Sequence, residues 1–197
     1  MTADAGPTDP GDGPPPRPMP DWFRFCPGCA RPSDAVGCVP FKCPACGFAN
    51  FFGPVAAVGG LIVDDRDRLL MVVRAQQPGR GKWGLPGGFV DADESIESAL
   101  RREVREEVAL ELRTTRYLMS GPNHYDYRGV VGSVIDLFYL CTAVDPASVR
   151  LAARELADYR WVEDPTEHLP HMAFRSNAIA IRYWMENVRG NNAPGSR

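Results

Sequence analysis

The chain has no apolar run approaching the length of a membrane span, and its first residues hold no hydrophobic signal core. These absences argue against a helical membrane protein and a secretory leader, and the expectation is a cytoplasmic protein. Strong charge of either sign is also lacking. The 22 Lys and Arg stand against 25 Asp and Glu, a net charge of −3. That balance argues against a protein that coats nucleic acid. Residues 1–20, rich in Pro, Gly and Asp, and residues 189–197 are predicted to be disordered tails without functional signal.

What remains is ample for a core: 197 residues with 44% hydrophobic content allow one full domain plus a small module. The module spans residues 21–52. It contains Cys26-Pro-Gly-Cys29 and, after thirteen intervening residues, Cys43-Pro-Ala-Cys46. Two CxxC turns at this separation point to a four-thiolate zinc site, and disulfides are disfavoured in a chain expected inside the cell. Four cysteines close the coordination sphere, so the zinc is predicted to be structural, supplying folding energy that so short a segment lacks. Cys38 is a spare thiol or a substitute ligand. Cys141, in an apolar strand, reads as core.

The domain at 53–188 carries its chemistry around residues 88–110. Residues 95–108 hold no Gly or Pro and are rich in Glu, Arg, Ala and Leu, which predicts a helix. Glu103, Glu106 and Glu107 then share one face at i, i+3 and i+4, while Leu100, Val104 and Val108 form a packing stripe beside them. Like charges so placed repel by roughly 0.2–0.5 kcal/mol per pair. A solvated acidic face softened by Arg101, Arg102 and Arg105 is the plain alternative. The preceding Leu85-Pro86-Gly87-Gly88 favours a site, because glycine lets bare carbonyls approach the acids. Hard oxygen donors converging on one point suit Mg²⁺ or Mn²⁺.

Gly88, Glu94, Arg102, Glu103, Val104, Glu106, Glu107 and Leu110 follow the spacing of the Nudix box, and the chain resembles the Nudix hydrolases. One position departs, since Ala109 stands where the family has glycine. The place is a helix C-terminus, where glycine eases a left-handed cap, so stability is affected and chemistry is not. With the cysteine module, Asn50-Phe51-Phe52-Gly53-Pro54 and LPGGFVDADES, the chain is similar to ribbon-bearing bacterial members grouped with ADP-ribose and NADH pyrophosphatases. The resemblance implies an α+β fold, an α/β/α sandwich with a mixed sheet behind a zinc ribbon. Strands are expected at 55–63 and 68–74 (a hairpin), 83–85, 112–120, 130–144 and 159–162. A last helix at 176–188 buries Ile181, Trp184, Met185 and Val188.

The resemblance also implies metal-dependent hydrolysis of a phosphoanhydride in a nucleoside diphosphate linked to another group: ADP-ribose, or FAD, NADH or a dinucleoside polyphosphate. Glu103, Glu106 and Glu107 would hold Mg²⁺ or Mn²⁺, with a carbonyl at Gly87 or Gly88. Arg102 would orient the carboxylates. Glu94 would steady the loop or a second ion, or be purely structural. The general base is a box glutamate or a later acid; Glu155 and Asp158 are equally candidates and ordinary loop acids, and His124 is a weaker candidate. Arg74, Arg80 and Lys82 are candidate phosphate contacts, and Tyr125 and Tyr127 candidate base-stacking residues. A tyrosine at this distance points to dinucleoside polyphosphates and a proline such as Pro122 to ADP-ribose. The stretch from Ser120 to Tyr127 lacks the SQPWPFP-type motif of NADH pyrophosphatases.

Three rivals remain: a non-catalytic nucleotide sensor, a nucleic-acid-processing enzyme and a nucleoside triphosphate housecleaning pyrophosphatase. The complete acid set opposes the first. The thin basic content of the ribbon, Arg24, Arg31 and Lys42, opposes nucleic-acid recognition by such a sensor's ribbon, and the second would require a basic groove that the sequence does not show. Whether the ribbon binds a partner or pairs two copies as a homodimer is left open.

Overall fold

The computed structural model describes residues 15–190; the tail expectations for 1–14 and 191–197 lie outside them. Two compact units emerge. Among the described residues, one holds the chain up to Pro54 together with His124–Ser133, the other Val55–Asn123 with the chain from Val134 onward.

In the first unit, β1 (Arg17–Pro18) leads into a 3-10 turn at Met19–Trp22. Arg17–Pro20 fall in the expected disordered tail, and the structure corrects that boundary. Arg17 N–H donates to the Gly129 carbonyl at 2.8 Å, and β1 runs parallel to residues 130 and 131. Proline's fixed φ suits an extended edge where no second N–H is required. β2 (Phe41–Lys42) and β3 (Ala49–Asn50) pair antiparallel around the second CxxC turn. Phe41, Cys26 and Cys43 are buried with Phe23, Phe48 and Phe52 packed on them, a core too small to stand without crosslinks.

The second unit begins with β4 (Val55–Ile62) and β5 (Leu69–Arg74). Sequence predicts a hairpin here, yet the strands share a single bridge, Val63 with Leu69, and then part. β4 pairs parallel with β8 (Val130–Ala143), which also pairs with β7 (Leu112–Tyr127) and, at residues 130 and 131, with β1. β5 lies between β6 (Trp83–Gly84) and β9 (Leu156–Val162). Both strands are buried on two faces, and splitting them between sheets gives each a pair of covered sides. β7 continues past the expected end at residue 120 through Gly121 and Pro122, since an edge strand tolerates proline.

Alternation along the strands separates two cores. Val58, Ile62, Leu70, Val72, Tyr139 and Cys141 face α1 (Ile96–Val108), whose Leu100, Val104 and Val108 are fully buried. Leu61, Leu69, Met71, Phe138 and Leu140 face α2 (Arg175–Asn187) with Ile181 and Trp184. This is the expected α/β/α sandwich. Cys141 is core, its thiol pushed up to about 12 by burial. Arg189, expected in the C-terminal tail, instead donates to Asp67 at 2.8 Å and lies over the Trp184 ring. No described helix is long and apolar enough to cross a membrane.

Candidate functional site

Ser95 ends the loop before α1 and accepts the Ser98 amide, satisfying one of the helix's first free N–H groups. The other end closes on Ala109 in the left-handed region, φ 56°, its N–H donating to the Arg105 carbonyl. The glycine-favouring cap is therefore built with alanine. Between these caps α1 sets the acids out along one side, with unequal exposure. Glu106 is open to solvent, Glu103 is half-buried, and Glu107 is 7% exposed. Sequence leaves all three acids clear of the packing face. The structure corrects this for Glu107, because Gly87 and the 149–155 segment close over it.

Glu107 Oε2 accepts the Gly87 N–H at 2.9 Å. Burial pushes its pKa up to about 8, with the Glu103 and Glu155 charges adding to the rise and the Gly87 N–H and Arg74 opposing it. Burial also raises Glu103, against the pull of Arg102. Arg102 is the hub of the outer side. Its Nη2 donates to Glu94 at 2.9 Å and to the Phe89 carbonyl at 3.0 Å, and its Nη1 to Glu103 at 2.8 Å and Glu106 at 3.3 Å. Glu94 is held well below the usual carboxylate range by these hydrogen bonds, so it anchors Arg102.

Both glycines stand at close approaches of different kinds. A Cβ on Gly87, at φ +146°, would lie 2.1 Å from the Val58 carbonyl oxygen, and one on Gly88 2.6 Å from the Glu103 carboxyl. The Gly88 carbonyl accepts the Val58 amide at 2.8 Å. One of its lone pairs is thus already engaged with β4.

Glu155 joins this group from another part of the chain. Ala152 N–H donates to the Glu107 carbonyl at 2.9 Å and Arg150 N–H to that of Val108 at 3.0 Å, so residues 150–152 cap the end of α1. Ala75 N–H then fixes the Glu155 carbonyl at 2.8 Å. Glu155 consequently raises the pKa of both Glu103 and Glu107. Arg74 stands on the same side, its Nε bonded to the Pro78 carbonyl at 2.8 Å and its guanidinium 5.1 Å from the Phe174 ring centre.

Other candidates are not gathered. Asp158 lies within β9 opposite Val73, accepting the Tyr159 amide. Arg80 and Lys82 are exposed on the 75–82 loop. His124, Tyr125 and Tyr127 belong to the first compact unit. The Phe89 carbonyl and the capping amides of Arg150 and Ala152 escaped sequence analysis because backbone groups carry no residue signature.

The cysteines do converge. Cys26, Cys29, Cys43 and Cys46 bring their sulfurs within 4.8 Å of one another, with Cys26–Cys46 at 3.6 Å and Cys29–Cys43 at 3.8 Å. A tetrahedral ion with sulfurs about 2.3 Å away has edges of about 3.8 Å, so the set fits such an ion. The amides of Cys46 and Ala45 pull Cys43 down to about 7, while, against the Phe48 amide, burial and the neighbouring thiols push Cys46 up to about 12. Cys38 is exposed and outside the set. Among the described residues this is the one such cluster; the glutamate oxygens are not drawn together as closely. The carboxylates nonetheless fit a hard dication, being an all-oxygen donor set with two members whose ionisation burial opposes.

The NUDIX domain model matches residues 53–182, and the chain belongs to the Nudix family. An ADP-ribose pyrophosphatase of Methanocaldococcus jannaschii is 36% identical over 87 residues, covering 43% of this chain and 50% of its own. The NAD-capped RNA hydrolase NudC of Chromobacterium violaceum is 31% identical over 171 residues, 84% of this chain and 60% of its own. The chain thus spans about half the length of these relatives. A MutT NUDIX hydrolase from Burkholderia pseudomallei superposes with a TM-score of 0.55 at 28% identity, covering 66% of this chain and 98% of that one. A NUDIX hydrolase from Nitrosomonas europaea, 21% identical, shares the fold over 89% of this chain and 97% of its own, TM-score 0.63.

Proposed function

We propose that the protein hydrolyses the phosphoanhydride bond of nucleoside diphosphate-linked compounds, ADP-ribose first among them, with related ADP-containing dinucleotides as further substrates. The observation that carries this is the set of acids on one side of α1 behind the Gly87-Gly88 turn, with Glu107 buried on the Gly87 N–H and Glu103 packed against Gly88. Relatives named as ADP-ribose pyrophosphatase and NAD-capped RNA hydrolase support the substrate class.

Glu103, Glu106 and Glu107 would hold Mg²⁺ or Mn²⁺, with the carbonyl of Gly87 or Gly88 as a further donor. A dication held there would neutralise the diphosphate and acidify the attacking water. Arg102, anchored by Glu94, fixes Glu103 and Glu106 in rotamers that a free side chain would leave. Glu155 accepts the proton of the water whose oxygen bonds to phosphorus as the anhydride P–O bond breaks, leaving two phosphomonoesters. Arg74 offers a positive charge to the diphosphate. The four cysteines would bind one zinc ion, closed to exchange and structural.

A phosphatase-coupled assay over ADP-ribose, FAD, NADH, dinucleoside polyphosphates, nucleoside triphosphates and NAD-capped RNA, with Mg²⁺ or Mn²⁺, tests this reading. ADP-ribose turnover that falls at least a hundredfold in Glu106→Gln, and about a hundredfold in Glu155→Gln with KM little changed, is the expected result. A flat panel from folded, zinc-loaded protein would favour the sensor.

A further inference from the structure

The turn that carries Glu155 is exposed, yet the backbone on both sides of that residue is fully hydrogen-bonded within the protein. In the peptide link before Glu155, the Arg154 carbonyl accepts Gln76 Nε2 at 2.6 Å, and the Glu155 N–H donates to the Ala152 carbonyl at 2.9 Å. In the link after it, the Glu155 carbonyl accepts the Ala75 N–H at 2.8 Å, and the Leu156 N–H donates to the Ala152 carbonyl at 3.0 Å. Two planar peptide groups, each held at both edges, fix the backbone dihedrals of the residue between them. They therefore fix the point from which the Glu155 carboxylate departs. Leu156, 3% exposed, ties the next position into the core.

Three of these four bonds join backbone groups and follow from the strand pairing. Between β5 and β9, Val73 stands opposite Asp158 but Arg74 opposite Leu156, so Ala157 is passed over. This one-residue bulge brings Ala75 level with Glu155 and Gln76 level with Arg154. The fourth bond comes from a side chain, that of Gln76, which reaches a carbonyl 78 positions away. An exposed hydrogen bond returns little net stability once a glutamine has given up its rotamer freedom, so folding alone is a weak reason for it. The adjacent Gln77 differs, because its Oε1 accepts the Gly79 N–H at 3.0 Å inside its own loop.

Placement matters at this position, since a proton acceptor displaced by an ångström loses much of its effect on rate. We propose that Gln76 is a positioning residue for Glu155: by holding the Arg154 carbonyl it sets where the Glu155 carboxylate stands relative to Glu103 and Glu107, without itself touching substrate. This rests on the reading of Glu155 as acceptor of the water proton, and the test separates the two.

The test is steady-state hydrolysis of ADP-ribose by the full zinc-loaded chain, with amide exchange at residues 154–156 measured beside it. The variants are Gln76→Met, which keeps the side-chain length and removes the donor, Gln76→Lys, which restores a donor of similar reach, Glu155→Gln, and Gln76→Met combined with Glu155→Gln. Gln76→Met should lower kcat about tenfold with KM within about twofold. Its melting temperature should stay within about 2 °C of wild type, while the 155 and 156 amides exchange about tenfold faster. Gln76→Lys should recover about half of the lost kcat. Added to Glu155→Gln, Gln76→Met should cost less than about a further twofold, because the group it positions is already disabled. An unchanged kcat in Gln76→Met, or the same tenfold loss whether or not Glu155 is present, overturns the proposal. So does a loss that follows melting temperature alone and that lysine does not recover, which would make the bond architectural. Full activity in Glu155→Gln would instead sink the base assignment, and a wild type that hydrolyses nothing would sink the activity. In either of those cases, unchanged exchange at 155 and 156 in Gln76→Met would overturn the tether as well.

Discussion

At the scale of single residues, three positions separate folding from chemistry. A Cβ on Gly87 collides with the backbone oxygen of Val58, which has no room to retreat, at a φ that L residues rarely adopt. Gly87→Ala should therefore lower stability by about 3 kcal/mol or more, visible as a drop in melting temperature. A Cβ on Gly88 meets the movable end of Glu103 instead. Gly88→Ala should cost about 1 kcal/mol or less, yet reduce hydrolysis at least tenfold by displacing that carboxylate. Equal stability losses in the two variants would contradict this division. Ala109→Gly should work the other way. Relief of a left-handed alanine is worth about 1 kcal/mol, part of which glycine returns as chain entropy, so melting should rise by about 1–3 °C with activity unchanged.

Glu107 adds a pH signature. Its folded pKa, near 8, exceeds the ordinary carboxylate value of 4.5. Between those values the folded chain keeps a proton that the unfolded chain has lost. In protein stripped of divalent cations, this contribution is complete below about pH 4.5 and is lost as pH rises through 8, by at most a few kcal/mol. Denaturant unfolding from pH 5 to 8.5 should show the decline, Mg²⁺ should offset it, and Glu107→Gln should flatten it.

Elements show which sequence signals hold. Helix α1 was readable end to end, from its Ser95 cap to the left-handed Ala109, because capping and periodicity are local. The β4–β5 hairpin was not, since two apolar strands joined by a short polar turn pair locally or diverge into separate sheets with equal ease. Burial on both faces decides that choice. The Arg102 hub also exceeds its pattern: the spacing supplies the residues, while the fold brings Phe89 and Glu94 to them. Arg102→Ala leaves Glu94 without its cation and the 89–94 loop without its anchor. Stability should fall by about 1–3 kcal/mol, and amide exchange should quicken in that loop before it does in α1.

For the whole molecule, the cysteine unit and the glutamate unit are held by different means. The first has three fully or nearly buried hydrophobic residues at its centre, whereas the second has two extended cores. Titration with an organomercurial thiol reagent should release about one zinc ion per chain. Proteolysis should then cut residues 21–52 rapidly and leave the fragment beyond residue 54 resistant. Simultaneous loss of both would show that the second unit depends on the metal.

The sequence by itself determined four thiols on two tight turns, three carboxylates on one helical face and two glycines before them. Within each turn and along the helix the members lie a few residues apart, where chain geometry alone fixes spacing. It determined the family and the sandwich for the same reason, through periodicity that each element carries within itself. Tertiary structure decided which distant residues join. It brought Glu155 to the acids by capping α1 with residues 150–152, left Asp158 in a ladder, and put Tyr125 and Tyr127 in the other unit. It also buried Asp136 beside the first turn of α2. These outcomes depend on hydrogen bonds and burial between segments far apart in the chain, and no local pattern encodes which of several equivalent acids or aromatics the packing will select.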